Sequence, residues 1–261
     1  MSANANSSFA CHSLTVTVPG RTLVEELEMR LERGVFLAIL GRNGAGKSLT
    51  LHTLAGLRPI KQGEVLLLGE ALATSRRQDV AKNLALLPQN TEDVFPATVL
   101  DTVLIGRHPH IGRLQWESKQ DKQIAEQALE QMDLGTMQDR DVATLSGGER
   151  RRLAIAQTLT QTPAVFLLDE PTNHLDPQHQ LDVLSVFSKQ ARSGATVVAS
   201  FHDVNLAARY ADQCLLLFGD GRWDLGPTDS VLSEERLTEL YATPMEAVSW
   251  RESRLFVAAT R

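Results

Sequence analysis

The chain is poor in cysteine, and the two it has, Cys11 and Cys214, stand far apart and match no metal-ligand spacing. That argues against a disulfide framework or a zinc site, so both are expected to be free thiols in a reducing compartment. Positive charge is also in deficit: 26 Lys and Arg against 32 Asp and Glu give a formal net charge of −6. Broad nucleic-acid binding is therefore not expected, although Arg150, Arg151 and Arg152 form a local basic cluster. Long apolar runs are missing. The longest resemble Cys214-Leu215-Leu216-Leu217-Phe218, far short of the ~20 residues that span a bilayer. The stretch Met1 to Ser8 lacks both a charged start and an apolar core. No secretory signal is visible there, and residues 1–12 are expected to be a polar, disordered tail. If the chain works at a membrane, another chain must hold it there.

What remains is the composition of a globular protein. The 261 residues are 43% hydrophobic and 22% charged, enough to bury a full core. The sequence is organised around Gly41-Arg42-Asn43-Gly44-Ala45-Gly46-Lys47-Ser48, which fits the phosphate-binding loop G-x-x-x-x-G-K-[ST]. Its glycines let successive backbone N–H groups point at a phosphate chain. Lys47 supplies a charge for the β- and γ-phosphates, and Ser48 a hydroxyl for a magnesium ion. The flanks agree: Phe36 to Leu40 is apolar and strand-like, and Leu49 to Ala55 is helix-compatible, with its N-terminus toward the phosphates.

The rest of the chain alternates between two periods. Ser13 to Val18 alternates polar and apolar residues, Pro19-Gly20 marks a turn, and Leu27, Met29 and Leu31 suggest a second strand, though its Glu-rich start also suits a helix. Gly63 to Gly69 and Leu84 to Leu87 read as strands, while Val94 to Thr98 reads as a loop. Ser118 with Asp121 resembles a capping box, and Ile124, Ala128, Leu129 and Met132 share a helical face. Residues from about 95 to 145 are thus expected to be a mainly helical insertion. Further apolar runs at Ala164–Leu168, Ala195–Ser200 and Cys214–Phe218, separated by helix-length segments, indicate a parallel sheet covered on both faces. Asp224 to Thr228 is expected to end the core, followed by a helix or two and a last strand near Leu255.

Three apolar runs end in polar residues: Lys47 and Ser48, Asp169-Glu170, and His202. Ligands of an open parallel sheet sit at the carboxyl ends of its strands, so one sheet would bring these five residues to one edge. Asp169 can hold magnesium, Glu170 can orient or deprotonate the attacking water, and His202 can donate to the γ-phosphate. Leu145-Ser146-Gly147-Gly148-Glu149 is the second key stretch. Ser146 and Glu149 make a capping box, but Gly147-Gly148 costs helix stability in the first turn while baring N–H groups beside a hydroxyl, which makes a second anion site. Two phosphate sites with one catalytic set suggest that two chains share each nucleotide.

With these motifs in their order, the chain resembles the ATP-binding subunits of ABC transporters from about Ser13 to about Val248. The resemblance is carried by the phosphate loop, Gln89, LSGGE at 145–149, VFLLDE at 165–170, Asn173-His174-Leu175-Asp176 and His202. It implies an α/β P-loop NTPase with a RecA-like parallel sheet core, an N-terminal antiparallel β subdomain and an inserted helical subdomain, leaving 249–261 as a short extension. It also implies a head-to-tail dimer with two ATP molecules, each sandwiched between the phosphate loop of one chain and LSGGE of the other. The nucleotide would be held by Gly41, Arg42, Asn43, Gly44, Ala45, Gly46, Lys47, Ser48 and Leu49, and by Ser146, Gly147 and Gly148 of the second copy. Mg²⁺ would be held by Ser48, Gln89 and Asp169. Gln89 would couple metal and water to a transmembrane permease, Glu170 and His202 would be catalytic, and Asp176 would lie in a loop that communicates across the dimer.

Gly106-Arg107-His108-Pro109-His110, the run Asp139 to Arg150, and Asp203 to Asp212 look like the importers of iron–siderophore, haem or cobalamin. That likeness implies a peripheral subunit on the cytoplasmic face of the cell membrane, served indirectly by a substrate-binding protein. His108 and His110 can be read as a metal pair or as surface residues near the partner, the latter preferred. Two positions depart from the family. Leu49 stands where Thr is usual, removing one α-phosphate hydrogen bond, and no aromatic lies near Val18, where adenine commonly stacks. Two other classes compete: a soluble ABC-type ATPase acting on nucleic acid or ribosomes, and a small-molecule kinase. The first usually carries two ATPase domains or a long coiled coil, which this chain lacks, and the second has no use for LSGGE.

Overall fold

The structure, a computed structural model, describes residues 7–90, 96–112, 115–251 and 253–259. Strands β1 (Ser7–Val18) and β2 (Arg21–Glu32) form an antiparallel hairpin whose turn uses Gly20 at φ 74°. In β2 the apolar Leu27, Met29 and Leu31 are buried and the intervening Glu28 and Arg30 are exposed, so the period-2 pattern prevails over the helix-compatible composition. Strand β3 (Phe36–Leu40) enters a second sheet and passes through the phosphate loop into helix α1 (Lys47–Leu54). The chain then returns to the first sheet as β4 (Glu64–Leu67) and β5 (Glu70–Ala71), completing the order β2-β1-β4-β5.

Helix α2 (Arg77–Asn83) leads into β6 (Leu84–Leu87). A helical layer follows: α3 (Val99–Leu104), a 3-10 turn at Ile105–His110, α4 (Lys119–Gln131) and α5 (Gly147–Thr160). Then come β7 (Val165–Leu168), α6 (Pro177–Arg192), β8 (Thr196–Ser200), α7 (Val204–Tyr210), β9 (Gln213–Leu217) and β10 (Trp223–Pro227). The chain closes with α8 (Thr228–Val231), α9 (Glu234–Tyr241) and a hairpin of β11 (Met245–Trp250) and β12 (Ser253–Ala258). The large sheet has the order β10-β9-β3-β8-β7-β6, parallel except for β10.

Strand β3 shows why its run is continuously apolar. Leu37 and Ile39 lie in the core shared with the first sheet, while Phe36, Ala38 and Leu40 lie in the core shared with the helices. A strand covered on both faces has no polar side to offer.

Four boundaries differ from the sequence expectation. The tail expected over residues 1–12 is strand from Ser7 onward; Met1 to Asn6 lie outside the described residues. Ser8 is polar yet buried, because its hydroxyl reaches the Leu31 carbonyl at 3.3 Å and the Thr196 hydroxyl; a satisfied hydroxyl can be buried at little cost. The helical layer does not end near 145, since α5 packs on α4, with Leu153 and Leu129 in one buried core, and Arg152 donates to the Met132 carbonyl at 2.9 Å. Asp224 to Pro227 is an edge strand rather than the end of the core. The boundary at 248 falls inside β11: the hairpin is docked on α7 by Asn205, whose side chain accepts from Phe256 N–H at 2.8 Å and donates to its carbonyl at 3.1 Å. Val94 and Phe95, expected in a loop, lie outside the described residues.

Candidate active site

The site forms where β3, β6, β7 and β8 end. Gly46, at φ 102°, turns the chain from loop into α1, a conformation that a side chain resists. Its backbone presses on Leu23 of the first sheet, where an added Cβ would come within 3.1 Å. The loop is thus clamped between both sheets. Arg42, Asn43 and Gly44 are exposed, whereas Lys47 is buried and its Nζ donates to the Gly41 carbonyl at 2.8 Å. Burial pulls the Lys47 ammonium below its ordinary range, while Glu170 and Asp169 oppose that shift.

Asp169 and Glu170 follow β7. Asp169 is 1% exposed; its Oδ1 accepts from Ser200 Oγ at 2.7 Å, while its Oδ2 is buried without a partner among the described residues. Glu170 takes φ 48°, and its N–H donates to the same Ser200 Oγ at 2.9 Å. Its carboxylate is gripped from three directions: Gln89 Nε2 donates to Oε2 at 2.8 Å, Asn173 Nδ2 donates to the same oxygen, and His202 Nε2 contacts Oε1. These groups line one cavity of about 400 Å³ with Arg42, Asn43, Gly44, Gly46, Lys47, Ser48 and Leu49. The phosphate loop, Gln89, Glu170 and His202 therefore come together as expected, with Asp169 in contact through Ser200.

The LSGGE stretch does not join them. Ser146 caps α5, accepting from Glu149 N–H at 3.3 Å, and its own N–H donates to Glu149 Oε2 at 2.7 Å. That hydrogen bond, with the Ser146 hydroxyl, holds the Glu149 carboxyl below its ordinary range. Ser146 and Gly147 are exposed, and nothing stands within 4 Å of a Cβ added at Gly147. This edge is outside the cavity lining of its own chain. Asp176 is also outside it: its carboxylate caps α6, accepting from His179 N–H at 3.0 Å and meeting His179 Nδ1 at 2.7 Å. His110 Nε2 contacts the Gln161 carbonyl at 2.9 Å and His108 is exposed, which fits the surface reading better than a metal pair. Val18 is half-buried, and the linings of this cavity and of the one beside Val18 contain no Phe, Tyr or Trp.

The contacts of three residues escaped the sequence reading. Ser200 ends an apolar strand, Asn173 sits in a turn, and Arg151 looks like one third of a surface basic cluster. Arg151 is instead 3% exposed, with a guanidinium that donates to the carbonyls of Pro88, Gln89, Asp169 and Glu170. A charge buried so deeply is the kind of group that carbonyl dipoles must solvate.

A glycine loop at a helix N-terminus, with an Asp-Glu pair at the end of β7, one strand removed from β3 in the same sheet, defines a nucleoside-triphosphate hydrolase. Comparison with known proteins makes the class narrower. Residues 24–173 match the family model described as ABC transporter. The chain is 43% identical over 218 residues to the hemin import ATP-binding protein HmuV of Deinococcus radiodurans, covering 82% of each. It is 36% identical over 229 residues to the achromobactin transport ATP-binding protein CbrD of Dickeya dadantii, 87% of this chain and 85% of that one. It also matches an ABC transporter ATP-binding protein of Bacillus subtilis, 34% identical over 233 residues, of which it spans 53%. Among solved structures, an ABC transporter described as metal-chelate type, in an inward-facing conformation, superimposes with a TM-score of 0.85 at 31% identity, covering 98% of this chain and 99% of that one. The chain belongs to the ABC transporter family; it is an ATP-binding subunit that couples ATP hydrolysis to transport.

Proposed function

We propose that two copies of the chain close head to tail around two ATP molecules and thereby energise import of a metal chelate, haem or an iron–siderophore, or of cobalamin, through a membrane permease. The observation that carries the shared pocket is the placement of Ser146 and Gly147: an exposed helix N-terminus with bare N–H groups, outside the cavity that holds its own chain's catalytic carboxylate. A helix end of this kind attracts phosphate, and a second copy can supply the nucleotide. Cargo of the haem or siderophore type is supported by the relatives named for hemin import and achromobactin transport. Among the described residues no helix is long and apolar enough to cross a membrane, so the permease would hold the chain at the cytoplasmic face.

In this reading Lys47 and the loop N–H groups hold the β- and γ-phosphates. The unpartnered Oδ2 of Asp169 and the hydroxyl of Ser48 suit a magnesium ion, which would neutralise phosphate charge. Glu170 accepts a proton from the attacking water. Gln89 and Asn173 fix the rotamer of that carboxylate, and His202 lies on its other oxygen, placed to donate toward the γ-phosphate.

The test uses two variants. Glu170→Gln is expected to bind ATP, turn it over about 10²-fold more slowly or worse, and accumulate as a dimer by light scattering. Ser146→Arg is expected to keep monomeric nucleotide binding and lose the dimer. A Glu170→Gln chain that stays monomeric at saturating Mg-ATP, or near-normal turnover in it, defeats the reading. Loss of haem or iron–siderophore uptake in cells lacking the chain, restored by the parental gene but not by Glu170→Gln, tests the cargo.

A further inference from the structure

The three consecutive arginines after LSGGE point in different directions. Arg150 donates to the carbonyls of Leu145 and Ala143, and Arg152 to that of Met132, all in the helical layer. Arg151, between them, crosses to the sheet. Its Nη1 donates to Pro88 and Gln89 carbonyls at 2.6 and 3.1 Å, and its Nη2 to Asp169 and Glu170 carbonyls at 2.8 and 2.6 Å.

We infer that Arg151 is the mechanical link that carries the state of one ATP site to the other, by tying the LSGGE helix to the Gln89 loop and the Asp169-Glu170 turn of the same chain. Arg151 lies within the first turns of α5, a helix whose start is fixed by the Ser146–Glu149 capping box. The start of that helix and the guanidinium therefore move as one body. At the other end the planar fork spans two segments that are themselves joined by the Gln89–Glu170 hydrogen bond. A planar group with paired donors suits such bridging; a lysine ammonium, a point charge on a flexible stem, does not reproduce it. When a nucleotide draws Gln89 or Glu170 toward its γ-phosphate, the four carbonyls shift together and pull on α5. Under the shared-pocket reading above, on which the final step rests, Ser146 and Gly147 at the end of α5 face the other nucleotide. Arg151 thus acts as a positioning residue; it lines no part of the cavity.

The experiment examines the within-chain step first. Hydrogen exchange of the full chain is followed by mass spectrometry, with and without a non-hydrolysable ATP analogue and Mg²⁺, at a concentration where light scattering gives a monomer. In the parental chain, exchange over residues 145–153 is expected to slow at least about threefold on binding, although these residues lie outside the cavity. Arg151→Lys is expected to lose that response while its analogue affinity stays within about threefold of the parent. Arg151→Met is the stronger variant; if it does not fold, the lysine variant carries the test. A response retained in Arg151→Lys, or absent from the parental chain, overturns the inference. The shared pocket is read separately, from ATP-driven dimerisation of Glu170→Gln. If that dimer fails to form while the exchange data behave as expected, the link inside the chain stands and the head-to-tail reading falls.

Discussion

Gln89 and Glu170, 81 residues apart in the chain, share a hydrogen bond of 2.8 Å. The contact follows from topology: β6 and β7 are parallel neighbours, with Leu87 paired to Leu168, so the residues after both strands emerge side by side. The loop expected to sense a permease is thereby bound to the expected general base.

Gln89→Ala removes one of the three groups on that carboxylate. Turnover is expected to fall about tenfold, equivalent to about 1.4 kcal/mol of transition-state stabilisation, with KM for ATP changed less than about threefold. Steady-state kinetics on the purified chain checks it; parental turnover would mean the bond has no part in the reaction.

Ser200→Ala strips the single hydroxyl that serves both Asp169 Oδ1 and Glu170 N–H. Because Ser200 is fully buried, the orphaned groups are expected to cost about 1–3 kcal/mol. Urea unfolding should show a lower midpoint at unchanged slope, and Mg-ATP binding should weaken. A midpoint equal to the parent's would show that the bridge adds no stability.

Arg107 pins the 3-10 turn to α4. Its Nε donates to Asp121 Oδ1 at 2.8 Å and its Nη1 to Thr160 O and Thr162 Oγ1. The Ser118 hydroxyl first, and Arg107 after it, hold the Asp121 carboxyl down at about 2. An acid with a folded pKa below its unfolded value near 3.9 stabilises the fold at higher pH and loses that contribution as pH falls toward the folded value. The stability gap between parent and Asp121→Asn is therefore expected to be constant above about pH 5 and to shrink between about pH 4 and 2. Urea titrations across that range decide it; a gap independent of pH would refute the assignment.

Both cysteines are buried, and burial pushes the Cys11 thiol up to about 12 and that of Cys214 to about 11. Since the thiolate is the reactive form, a chromogenic disulfide reagent at pH 8 is expected to label neither residue in the native chain and both after denaturation. Rapid labelling without unfolding would contradict the packing.

The sheet and its chemistry were legible because β3, β7 and β8 are short, largely apolar runs that each lead into a polar segment, and parallel strands collect such ends at one edge. The LSGGE cap was legible because Ser146 and Glu149 are local partners. Ser200 and Asn173 were not legible, because their roles depend on neighbours brought by β7 and the turn after it, not on spacing. Arg151 was hidden by its sequence neighbours: three arginines in a row look solvated, and helical rotation alone decides which one turns inward. The start of β1 was missed for a related reason, since Ser7 and Ser8 look like tail until the Leu31 carbonyl is there to receive a hydroxyl. The final hairpin was half visible as a strand near Leu255, while its partner β11 is mostly exposed and shows no buried face to announce itself.

The strand order also sets a schedule for synthesis. Phe36 to Leu40 finds its neighbours only in Thr196–Ser200 and Gln213–Leu217, which leave the ribosome far later. At ~5–20 residues added per second the delay is on the order of ten to thirty seconds. Throughout it, a nascent chain displays an unpaired apolar strand just ahead of its nucleotide loop. Fragments truncated before Thr196 should accordingly be captured by holding chaperones, and slow decoding of the last third of the message should lower the yield of native protein more than slow decoding of the first.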